Sequence, residues 1–121
     1  MERSYFITML MLVIHEIDAA YWHEWDMFMV PGGIQGFLLF NIVIIPLVFV
    51  GYKAVVTHHA NAPQWGIFCG ALGAITFVIH GAFLLAGFEQ FTLPFSLGVI
   101  AICLLSSIVL LFESRKALIG T

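Results

Sequence analysis

Charge is what this sequence has least of. Only 9% of its 121 residues are Asp, Glu, Lys or Arg, and only four of these are basic. A soluble domain carries about 25% charged residues to cover its surface. This chain has too few to present such a surface to water, so lipid is its expected solvent. Four Lys/Arg at a net charge of -3 leave no basic footprint for nucleic acid. The two cysteines, Cys69 and Cys103, show no CxxC or metal-type spacing. Motifs of hydrolysis and nucleotide binding are missing too. There is no GxSxG elbow, His15-Glu16 lacks the second His of HExxH, and no Walker A loop occurs. Gly32-Gly33-Ile34-Gln35-Gly36 has neither the glycine spacing nor the preceding strand of a dinucleotide site.

What is present is hydrocarbon. The chain is 62% hydrophobic, and its mean hydropathy is +1.08. A bilayer-spanning helix needs about 20 residues. Apolar runs of that length, separated by turn residues, predict helices at roughly 5–25, 34–52, 65–88 and 95–112. The first run is apolar for only ten residues and must continue through a polar stretch that ends in Tyr21, Trp22 and Trp25, residues suited to a membrane interface. A cleaved signal peptide is the rival reading, but cleavage after Ala20 would put charged Asp18 where a small residue is required. Pro46 interrupts the second run and is expected to kink it. The expected fold is all-α: one integral membrane domain over residues 1–121, a four-helix transmembrane bundle. Arg3, Lys53, Arg115 and Lys116 all fall on one side of it, which the positive-inside rule makes cytoplasmic. Both termini then lie in the cytoplasm.

The polar residues concentrate in one stretch, His15-Glu16-Ile17-Asp18-Ala19-Ala20-Tyr21-Trp22-His23-Glu24-Trp25-Asp26. The order of spans places His15 roughly 15 Å into the first helix and His80 in the outer half of the third. At 100° per residue, His15, Asp18 and Trp22 share one face, with Glu16 and His23 about a quarter turn away. Carboxylates near mid-bilayer cost about 2.5–3.5 kcal/mol each and are functional candidates by default. His15 and Asp18 stand one turn apart, and His80, Glu16 and His23 could complete a nitrogen and oxygen shell suited to zinc, iron or manganese. His15, Asp18 and His80 are also the candidate proton carriers or catalytic groups. His23, Glu24 and Asp26 read more plainly as a solvated helix end.

The alternative is a non-enzymatic accessory or scaffold subunit. Its polar residues would be interhelical hydrogen bonds, and the stripe of Gly66, Gly70, Gly73 and Gly87 would dock a second copy or a partner membrane protein. A haem held by His15 and His80 has no CxxCH motif to support it. A transporter would more often show an internal repeat. Different depths for Cys69 and Cys103 argue against a disulfide between them.

The run HEIDAAYWHEWDMF followed by PGGIQGFLLFN resembles a family of small, uncharacterised bacterial membrane proteins with four predicted helices. That resemblance implies an integral membrane domain of unknown function over nearly the whole chain, and the expected location is the inner membrane. The sequence is also similar to the HXXEE group of small four-helix membrane proteins, although Ala19 stands where that motif has its second acid. Neither resemblance assigns an activity to particular residues. The expected function is a membrane protein with a His/carboxylate site in its outer half, binding a metal ion or proton and acting on a lipid or other apolar substrate.

Overall fold

The computed structural model describes residues 1–120. Their apolar runs form five helices: α1 (Glu2–Tyr21), α2 (Glu24–Met27), α3 (Ile34–Val56), α4 (Ala62–Leu85) and α5 (Pro94–Ile119). No strand occurs among the described residues. The fold is an all-α helical bundle. Three of its helices, α3, α4 and α5, are long and apolar enough to cross a bilayer. The 20 residues of α1 would reach about 30 Å, but Glu2, Arg3, Glu16 and Asp18 dilute its hydropathy.

Turn chemistry sets the starts. Pro31-Gly32-Gly33 precedes α3, with Gly32 and Gly33 at φ 81° and 57°, a region open chiefly to glycine. Pro63 and Pro94 sit in the first turns of α4 and α5, where a missing N–H costs nothing. Two helices outrun the apolar segments that suggested them. α3 continues to Val56 and buries Val55, and α5 continues to Ile119 and buries Ser114. Polarity ends a span, but it need not end a helix.

The first helix departs from expectation in a different way. It stops at Tyr21 instead of running to residue 25. His23 then takes a left-handed conformation, φ 52°, and a one-turn helix, α2, follows. No Gly or Pro marks the break. Histidine is among the non-glycine residues that enter this region most readily.

α1 and α4 touch each other and both remaining long helices, whereas α3 and α5 share no close contact. The bundle therefore has two seams. One, between α1, α4 and α5, is small and polar. The Thr8 hydroxyl lies 2.9 Å from both the Ser4 carbonyl and Ser106 Oγ on α5. Ser106 donates to the Cys103 carbonyl, 3.1 Å away, and Ser4 bonds Glu113 across the same two helices. Gly66, Gly70 and Gly73 let α4 approach α5 closely: a Cβ there would collide with Ser114, Leu111 and Ser107 respectively. The stripe expected to dock a partner is thus covered by α5 of the same chain, and Gly87 beyond it faces open space. Cys69 and Cys103 are buried free thiols.

The second seam, between α1, α3 and α4, is apolar and looser. Tyr5 donates to the Val48 carbonyl at 2.7 Å and packs with Met9, Val48 and Val55. Cavities lie between these helices, the nearer one reaching Met9 and Val48. Gly73→Leu should destabilise the bundle by about 1–3 kcal/mol or more, the usual cost of overpacking. The midpoint of thermal unfolding in detergent will read this. Gly98→Leu, at a position facing open space, should leave the midpoint unchanged.

A candidate metal centre

His15 sits six residues before the end of α1, and His80 sits near the end of α4. Because the two helices touch, the imidazoles meet edge to face with ring centroids 4.4 Å apart. Both are deeply buried, at 2% and 6% side-chain exposure. Phe91, on the segment between α4 and α5, packs against both rings. Its left-handed backbone, φ 65°, is unusual for a bulky residue and turns the ring inward, where it is 3% exposed.

The third member is Glu24. Its Oε2 lies 3.5 Å from His15 Nε2 and 3.5 Å from His80 Nε2, with the side chain 13% exposed. In an unbroken helix Glu24 would stand nine residues beyond His15, about 13 Å higher and about 180° round the axis. The break at His23 folds it back. One ligand atom from each of His15, Glu24 and His80 lies within 4.8 Å of the others.

The hydrogen bonding of the three is incomplete. His80 Nδ1 lies 2.8 Å from the Thr76 carbonyl, which can only accept, so Nδ1 carries the proton and donates it. In the neutral ring Nε2 then holds a lone pair directed at the Glu24 oxygen. His15 Nδ1, Glu24 Oε2 and His80 Nε2 are all buried without a hydrogen-bond partner. A lone pair facing a carboxylate repels it unless a cation stands between. Donors about 2.0–2.1 Å from a tetrahedral metal stand about 3.3–3.4 Å from one another, close to the observed spacing. An N–H from the far side of a ligating imidazole to a backbone carbonyl, as His80 makes to Thr76, is the usual means of orienting such a ligand.

The other residues singled out in the sequence lie elsewhere. Asp18, a candidate ligand beside His15, is not among the three clustered groups: its Oδ1 accepts from Trp22 Nε1 on its own helix at 2.9 Å. That indole, one turn further along the helix, reaches Asp18 before any neighbouring helix can. His23 is exposed at the helix break, with Nδ1 4.0 Å from Asp26 Oδ2. Glu16 is not among the three clustered groups. It lines a cavity of about 350 Å³ shared with His15, Glu24 and His80, and its Oε2 is buried without a partner. In the sequence Glu24 reads as part of a solvated helix end, because no glycine or proline announces the left-handed turn at His23, and Phe91 goes unmarked because it lies in a connector without periodicity.

The fold and site define a class: a helical bundle of spanning-length apolar helices enclosing a cluster of two imidazoles and one carboxylate. The chain belongs to DUF6713, a family of unknown function whose model matches residues 1–117, in keeping with the expected uncharacterised family. No curated protein and no solved structure matches the chain.

In metal-free protein with neutral imidazoles, His80 should hold its proton on Nδ1. Nitrogen-15 chemical shifts of the labelled ring will test this, and a proton found on Nε2 would contradict the tautomer.

Proposed function

We propose that this protein is a four-pass membrane metalloprotein that holds a divalent transition ion at His15, Glu24 and His80, in the outer half of the bilayer. The observation that carries the reading is the single Glu24 oxygen 3.5 Å from both ring nitrogens, buried and bonded to neither. Two imidazoles and one carboxylate form the donor set of zinc sites that keep an open coordination position, and ferrous iron also takes that set. Zinc is the leading ion, because two imidazoles and one carboxylate with a fourth position open are a donor set it takes in catalytic sites.

Four passes require α1 to cross as well. Charge placement supports that reading. The start of α1 meets the end of α3 through Tyr5 and Tyr52 and the end of α5 through Ser4 and Glu113. Arg3, Lys53, Arg115 and Lys116 therefore gather at one end of the bundle, taken as cytoplasmic, with the three ligands toward the other end.

Elemental analysis of detergent-purified protein tests the proposal. Wild type should carry close to one zinc or iron per chain. His15→Ala, Glu24→Gln and His80→Ala should each fall to background while remaining folded. His23→Ala should retain the ion, and so should Asp18→Asn if Asp18 serves Trp22 alone. Metal-free wild type that takes up no added zinc would sink the reading and leave a proton as the shared cation.

A further inference from the structure

The surroundings of the cluster are as specific as the cluster. The 350 Å³ cavity beside it falls within the range of small-molecule sites, about 300–1,000 Å³. Away from the His/Glu groups its walls are apolar, including Trp25, Phe28, Phe37 and Ile79. Phe40 and Ile75 line it too, and they are 52% and 53% exposed, so the cavity opens between α3 and α4 on the apolar outer face. A second cavity, about 60 Å³, shares Glu16, Phe40, Leu72 and Thr76 with the first and continues to Met9 and Val48. From Glu16 to Met9 is about 10 Å of helix. The combined space is a largely apolar chamber with the His/Glu groups on one side and a narrow extension along α1, and its mouth meets lipid.

The polar end selects the head group. A divalent ion beside Glu24 retains positive charge, and Glu16 supplies a second carboxyl group on the same cavity. An anionic head would face both carboxyl groups. A hydroxyl suits the position: its oxygen can take the open coordination place while its hydrogen goes to the unpartnered Glu16 Oε2. The narrow extension has room for the first carbons of one unbranched chain, and the rest can leave through the mouth to lipid.

We propose that the site takes a single-chain lipid alcohol from the bilayer, with its hydroxyl on the metal and Glu16 and its chain along α1, α3 and α4. This rests on the metal reading. The test uses full-length protein in phosphatidylcholine discs, loaded with cobalt(II), whose visible bands report a change of metal ligand. Radiolabelled tetradecanol is the probe, and tetradecanoic acid is the comparison. Tetradecanol should bind saturably and shift the cobalt spectrum, and the acid should bind roughly tenfold more weakly. Leu72→Trp, which fills the junction of the two cavities, should abolish alcohol binding with cobalt still stoichiometric. Glu16→Ala, which leaves the packing open, should weaken the alcohol and narrow its advantage over the acid.

Full cobalt occupancy with no saturable alcohol binding overturns this proposal and leaves the metal reading intact. So does equal binding by both variants and wild type. An acid that binds as well as the alcohol overturns the head-group assignment. Failure to bind cobalt or zinc overturns both readings.

Discussion

Glu24 facing two buried imidazoles is the constraint on which the far end of the bundle depends. It needs three separate pieces of chain at one point: the last turns of α1 and α4, and the one-turn α2. Two left-handed residues make that convergence. His23 turns Glu24 back over His15, and Phe91 brings an aromatic ring over both imidazoles from the opposite loop. Strain in these loops is thus spent on drying the cluster. In so apolar a setting each electrostatic interaction is stronger, and each unpaired polar atom costs more.

The two seams divide the labour. Around α5, glycines on α4 and hydroxyls on α1 and α5 bring backbones close and satisfy one another. Close backbone approach and hydrogen bonds hold helices together where lipid removes the hydrophobic drive. With that side fixed, α3 need not pack closely along its whole length. It is secured at one end by the Tyr5 bond to Val48 and near the other by Phe37 buried against Trp25, and the cavities lie between it, α1 and α4. The open seam is therefore the one that adjoins the cluster.

Much of this was legible in residue types alone. Hydropathy and Pro/Gly punctuation gave the long helices, and the antiparallel order brought His15 and His80 to one layer. Glycine periodicity marks a face suited to close packing but cannot say which neighbour lies against it, and at Gly66, Gly70 and Gly73 that neighbour is α5. The partner of the histidines was misplaced for a geometric reason. Helical angles assume an unbroken axis, and Asp18 at i+3 looks like the partner while Glu24 at i+9 looks opposite. One φ sign at His23 reverses that order. Phe91 lies in a connector, where no periodicity exists to place it.

The same contrast bears on whether the polar residues are merely packing glue. Glue should be saturated, since a buried group without a partner costs about 1–3 kcal/mol. The α5 seam largely meets that standard: Thr8, Ser106 and Ser4 are all bonded, with Ser107 Oγ the exception. The cluster does not. His15 Nδ1, Glu16 Oε2, Glu24 Oε2 and His80 Nε2 crowd one small region without hydrogen bonds, while His80 spends its one secure bond on a backbone carbonyl that aims it at Glu24. A scaffold has no need of oriented, unsatisfied lone pairs beside an open cavity. A site awaiting a cation and a ligand does.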